Sequence, residues 1–229
     1  VVGVDLGDRM SELCVLGPDG RIERRFKAAT TDSRLRKVLS ALPPCRVVIE
    51  VSTHSPWVSR LVEELGHEVV VANPRKVRLI SQSDDKHDAI DAELLARLGR
   101  ADPLLLRPIR HRGEQAQRDR ALLGVRDGLV RARVALVNQA RGQAKAVGLR
   151  LPRCATESFA SKMRKEGLEK AYPGLEHLVE QIHQLTQQIR SLDWEIETLC
   201  ETRYPETETL RQIAGVGALT ALSLIHISE

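Results

Sequence analysis

VVGVDLGDRMSELCVLGPDGRIERRFKA, residues 1–28, decides the fold. VVGVDLG and SELCVLG are short apolar runs, and Pro18-Asp19-Gly20 between the second and RIERRFKA carries the Asp-Gly step of a hairpin turn. Three opening strands, antiparallel neighbours, are the expectation. Working outward, Thr31-Asp32-Ser33 is placed to cap a helix with Leu35, Val38 and Leu39 on its apolar face, and Pro43-Pro44 ends it. CRVVIEV then reads as a buried strand. Ser55-Pro56 starts a helix closed by Gly66, HEVVVAN is a further strand, and Asn73-Pro74 launches the short helix PRKVRLIS. The order β-β-β-α-β-α-β-α, followed by a helix in KHDAIDAELLARL (86–98), predicts an α/β fold of ribonuclease-H-like type, a mixed sheet with helices. In that arrangement the first and fourth strands lie side by side.

Four carboxylates stand at informative places on this plan. Asp5 lies on the first strand, Glu50 ends the fourth, and Asp88 and Asp91 stand three apart, so they share one helical face. Asp5 and Glu50 are expected to face each other across neighbouring strands. Together the four could chelate two divalent ions, Mg²⁺ or Mn²⁺, since hard cations take carboxylate oxygens plus water and phosphate. Two such ions serve phosphodiester chemistry. Each acid alone has a plainer reading: a strand-end charge for Glu50, helix-dipole acids for Asp88 and Asp91. VVGVDLG also resembles the first phosphate loop of sugar-kinase and actin-like ATPases, but no second phosphate loop or adenosine-binding glycine motif follows.

The whole chain bounds the function. With 229 residues, 42% hydrophobic and 29% charged, it is long enough for a real core plus a smaller domain. No apolar run approaches the roughly 20 residues of a membrane span, and nothing reads as a leader, so a cytoplasmic setting is expected. Cys14, Cys45, Cys154 and Cys200 are scattered without a C-x-x-C pair, against both zinc and disulfides. Net charge is +4, yet Arg107 to Arg150 holds eleven Lys/Arg against three acids. Such a block fits a polyanionic partner, or a solvated helix face.

A long helix is expected over roughly 113–147, with Arg118, Arg126, Arg133 and Arg141 toward DNA or RNA backbones. Residues 151–174 read as a polar connection. From Leu175, the series Leu178, Ile182, Leu185, Ile189, Leu192, Ile196 and Leu199 alternates spacings of three and four, a heptad seam. It serves a helix packed on its own domain, a dimer or tetramer of the chain, or an antiparallel pairing with the 113–147 helix. LRQIAGVGALTAL (210–222) resembles a helix-hairpin-helix, whose Gly215-Val216-Gly217 turn offers backbone N–H groups to a phosphate.

The succession VDLGD, VVIEVSTHSPW, GHEVVVANPRKVRLI and KHDAIDAELLARL resembles the DEDD transposases of bacterial insertion sequences, the one-ten family. The similarity is clear over residues 1–147 and looser beyond. The family's K-x-D-x-x-D-A block falls on Lys86, Asp88, Asp91 and Ala92. The resemblance implies a RuvC-like domain, metal-binding acids at Asp5, Glu50, Asp88 and Asp91, and Lys86 steadying a phosphate. It also implies DNA strand exchange directed by a structured guide RNA. The family's carboxyl-terminal domain supplies a catalytic serine; Ser223 and Ser228 lie too near the turn to match it. The opening at Val1 and the ending SLIHISE point to a truncated chain. The expected organisation is a catalytic domain over 1–105, a basic helical extension over 106–150, a linker and coiled-coil helix over 151–205, and the start of a transposase domain over 206–229. A non-catalytic nucleic-acid-binding remnant is the alternative from another class.

Overall fold

A computed structural model describes residues 1–73 and 88–227, with the side chains of 88, 89, 226 and 227 outside it. Lys86 and the helix read in PRKVRLIS fall outside the described residues. The chain divides into two compact units, Val1–Gln117 and Arg118–Ser228.

The first unit is built on five strands: β1 (Val2–Asp5), β2 (Met10–Leu16), β3 (Ile22–Ala29), β4 (Arg46–Glu50) and β5 (Glu68–Ala72). Their order in the sheet is β3-β2-β1-β4-β5. The hairpin forms as Asp-Gly chemistry predicts: Gly20 takes φ +81, the left-handed region glycine tolerates, and Arg21 N–H donates to the Asp19 carboxylate at 2.9 Å. β1 pairs antiparallel with β2 and parallel with β4, in register Val2↔Val47, Gly3↔Val48, Val4↔Ile49. Three antiparallel strands continuing into parallel ones is the mixed sheet expected of the α/β, RuvC-like plan.

Side chains alternate between the two faces of such a sheet. Val2, Val4, Leu13, Val47, Ile49 and Val71 point to one face, into a core with Leu35 and Leu39 of α1 (Asp32–Leu39) and Val58, Leu61 and Val62 of α2 (Ser55–Glu64). Thr31 stands at the N-cap of α1, but its side chain makes no capping bond. The opposite face carries α3 (Asp88–Ala101), where Cys14 and Leu16 meet Ala92 and Ala96. This helix sits very close. A methyl at Gly3 would overlap the Ala92 carbonyl oxygen, and one at Gly99 would overlap Val48.

The second unit is helical. Its long helix α4 (Glu114–Ala146) begins before the unit boundary and matches the span read from sequence. The connection at 151–174 holds more than a polar linker: a 3₁₀ turn (Thr156–Ser158) leads into α5 (Phe159–Lys165), whose Phe159, Ala160 and Met163 are fully buried. Seven residues are too few for a periodic signal, and only the neighbours show that the face is internal. α6 (Leu175–Thr202) carries the heptad series. Leu175, Val179 and Ile182 pack with Val137, Ala140 and Ala144 of α4 and with α5. Arg126 meets Asp193 and Asp119 meets Arg203, so α6 runs antiparallel to α4. The buried row Leu175, Ile182, Ile189 and Ile196 therefore packs within the chain, the third of the uses open to the seam, while Leu178, Leu185, Leu192 and Leu199 stay half-buried. α7 (Thr207–Arg211) and α8 (Ala218–Ile227) follow, with Leu222 packed on Ile196 and Cys200. No helix among the described residues is long and apolar enough to cross a membrane.

Candidate nucleic-acid active site

Asp5 and Glu50 end adjacent parallel strands, so their backbones reach the same edge of the sheet. Alternation puts Asp5 on the face of Gly3 and Glu50 on the face of Val48, and both of those residues lie under α3. The direction of α3 follows from its far end: Arg46, at the start of β4, donates to the Gly99 carbonyl at 2.8 Å, and Arg100 donates to the Pro18 carbonyl at 2.8 Å. Its opening turn, with Asp88 and Asp91, therefore lies toward the edge where β1 and β4 end. Asp5, Glu50 and Asp91 are each half-buried, aimed by rigid elements yet open to solvent. Among the described residues no three His, Cys, Asp or Glu side chains are gathered closely enough to hold a metal ion. The Asp88 side chain lies outside that description.

Local bonds hold the loops leaving these strands. Thr30 donates to the Gly7 carbonyl at 2.8 Å and receives the Ser11 hydroxyl at 2.8 Å. After β4, Ser52 N–H donates to Ser55 Oγ at 3.0 Å, and Ser55 Oγ returns a bond to the Ser52 carbonyl at 2.9 Å. Trp57 Nε1–H donates to His54 Nδ1 at 3.2 Å, which leaves the ring proton on Nε2, 3.6 Å from Asp8. His54 thus joins the loop after Asp5 to the loop after Glu50. Sequence reading passed over His54 and Asp8, although both follow a candidate acid by three or four residues. Glu12 was also missed: it pairs with Asp5 across β1 and β2 and is ion-paired to Lys27 at 2.5 Å.

The four arginines singled out on α4 do not form one surface. Arg118 is exposed. Arg126 Nε donates to Asp193 at 2.6 Å, and Arg141 Nη2 donates to the Cys154 carbonyl at 2.8 Å while its guanidinium lies 5.5 Å from the Phe159 ring centre. Arg133 departs from expectation. It is 6% exposed, with its guanidinium inside the helical unit between Thr186 and Glu157, because the face it shares with Val137 and Ala140 turns toward α6. At the glycine turn, Gly215 has φ +87 and Gly217 begins α8, with Ala221 N–H donating to its carbonyl at 2.9 Å. This backbone makes a tight turn between α7 and α8.

A family model described as Transposase, for the DEDD transposases of the IS110 group, matches residues 2–147. The chain belongs to this family. The match takes in the whole sheet, α3 and α4. The chain is 30% identical to the transposase for insertion sequence element IS1328 of Yersinia enterocolitica, over 96% of this chain and 65% of that protein. It is 31% identical to a probable family 20 transposase of Pseudomonas aeruginosa, over 65% of this chain and 42% of the relative. With the transposase for insertion sequence element IS1111A of Coxiella burnetii it shares 26% identity, over 98% of this chain and 62% of the relative. The chain thus spans less than two-thirds of the length of these family members.

Proposed function

We propose that this chain serves transposition of an insertion sequence, cleaving and exchanging DNA strands at the edge where β1 and β4 end, directed by a structured RNA. The observation that supports it best is the parallel pairing of β1 with β4, which carries Asp5 and Glu50 to one edge beneath the acid-bearing turn of α3. The donor set is all oxygen, the chemistry that suits Mg²⁺ or Mn²⁺. Asp5, Glu50, Asp88 and Asp91 would hold the ion. Bound there, it would activate an attacking oxygen and stabilise a leaving one.

The chain's own residues set the stage. The strand ends fix the Asp5 and Glu50 backbones before substrate arrives, which limits reorganisation during reaction. His54, tied by Trp57, keeps the two loops at a set spacing. Lys86 and the exposed Arg118 would meet phosphates, as would the backbone N–H groups of the Gly215–Gly217 turn. Leu178, Leu185, Leu192 and Leu199, half-buried at seven-residue intervals along α6, would pair protomers.

The test is single-turnover strand cleavage on duplex and branched DNA with Mg²⁺, with and without the element's noncoding RNA. It uses the chain alone and joined to the remaining length of the Yersinia relative. Asp5→Asn and Glu50→Gln should each lower the rate about 10²- to 10³-fold without loss of fold, the scale of removing one transition-state electrostatic contact. Activity retained in either variant would remove these acids from the mechanism. Nucleic-acid binding with no cleavage in any form would leave a binding protein.

A further inference from the structure

A second charged feature lies on the other face of the sheet, within the first unit. Beyond the 3₁₀ turn Pro103–Leu106 the chain runs along β5: Ile109 N–H donates to the Val71 carbonyl at 3.0 Å, an isolated antiparallel bridge at the outer strand. Between this segment and α2 is an open groove of about 760 Å³. Arg60 and Glu63 line it from α2, and Arg110, His111 and Arg112 from the segment, so three guanidiniums face one carboxylate. Arg60 Nη1 is buried and has no hydrogen-bond partner among the described residues. A buried N–H without an acceptor costs free energy, and an anion oxygen recovers it once the Arg60 side chain turns out into the groove. Arg110 and Arg112 lie in the irregular stretch after the Ile109 bridge, and both line the groove.

The groove is tied to the carboxylate edge. His111 Nε2 lies 2.8 Å from Ser55 Oγ, whose one proton goes to the Ser52 carbonyl; the histidine is therefore the donor in this bond. Ser52 is two residues past Glu50. A polyanion lying along Arg60, Arg110 and Arg112 would be led toward the loop that follows β4. Guanidinium forks match phosphate oxygens in pairs, which favours a phosphodiester backbone over a scattered set of peptide carboxylates.

We propose that the groove between α2 and residues 108–113 binds the phosphate backbone of a nucleic-acid strand and leads it to the edge bearing Asp5 and Glu50. This rests on the nucleic-acid reading above. The experiment is fluorescence anisotropy with a labelled single-stranded oligonucleotide, as DNA and as RNA, across a salt series and without divalent metal. Arg110→Ala with Arg112→Ala should weaken binding about tenfold. It should also reduce the slope of log K against log salt by about 1.4, at about 0.7 for each phosphate no longer neutralised. Arg60→Gln should lower the slope by about 0.7. Lys165→Ala with Lys170→Ala, which removes the same charge from exposed helical-unit positions, should leave the slope unchanged.

The proposal is overturned if the Arg110/Arg112 variant, with unaltered circular dichroism and Tm, binds like the Lys165/Lys170 control. It is also overturned if polyglutamate displaces the oligonucleotide as readily as unlabelled strand does. A weaker DNA arm with an unchanged RNA arm, or the reverse, supports the groove and names the strand it carries. Asp5→Asn separates the two readings: it removes cleavage, whereas the loss of salt slope caused by Arg110→Ala with Arg112→Ala remains in its background.

Discussion

Asp119 shows how much one residue can hold. Its carboxylate is 5% exposed and receives Arg203 Nη1 at 2.7 and 2.8 Å and the Tyr204 hydroxyl at 2.8 Å. The Arg203 guanidinium is shifted upward, chiefly by its hydrogen bond to Asp119, and stays charged throughout the accessible pH range. Asp119→Ala removes the bonds from Arg203 and the buried Tyr204 hydroxyl and is expected to cost about 2 kcal/mol, measured by urea unfolding. Nothing in QRDRAL announces this role; the acid sits among bases and reads as a surface charge. Cys200 is the second residue-scale case, since burial pushes its thiol upward. The native state then favours the neutral thiol. Its contribution to stability is full below the ordinary thiol range and is lost as pH rises through it and up to the shifted value. Cys200→Ser or Cys200→Ala should flatten that alkaline decline.

At the scale of elements, two close approaches set the geometry. Gly3 and Gly99 let α3 lie against β1 and β4 with no side chain between. Gly3→Ala has to push the helix off the Ala92 carbonyl, and overpacking of this kind costs about 1–3 kcal/mol. Because the moved element bears Asp91, the metal binding proposed above predicts weaker Mn²⁺ uptake by the same variant, read by electron paramagnetic resonance. In the helical unit, Ile182 is fully buried between α4, α5 and α6, whereas Leu192 is half-buried. Ile182→Ala is expected to cost about 3 kcal/mol and Leu192→Ala distinctly less. A Leu192→Ala loss that grows with protein concentration toward that of Ile182→Ala is the mark of the protomer pairing proposed above. The seven-residue repeat was legible as an apolar stripe, but a stripe does not say which helix covers it. The partner is set by Val137, Ala140 and Ala144, small enough at one end of α4 to admit α6 closely.

Across the whole molecule, two compact units predict two unfolding transitions in calorimetry. Gly3→Ala should lower one and Asp119→Ala the other, each leaving its counterpart in place. A single transition moved by both variants would mean that the units unfold together. Much of this plan was present in local pattern. Strand alternation, the Asp19-Gly20 turn, the Ser55-Pro56 helix start and the three-residue spacing of Asp88 and Asp91 act over a few residues, so sequence by itself determined the order of the five strands with α1, α2 and α3, and where Asp5 and Glu50 stand on them. What lies far apart in sequence was decided only by tertiary structure. Arg133 became an interior residue, Phe159 and Met163 became core inside an apparent linker, and Arg60 came beside Arg110 and Arg112. Burial and charge clustering depend on which surfaces meet, and those meetings are set by packing over tens of residues rather than by any residue's immediate neighbours.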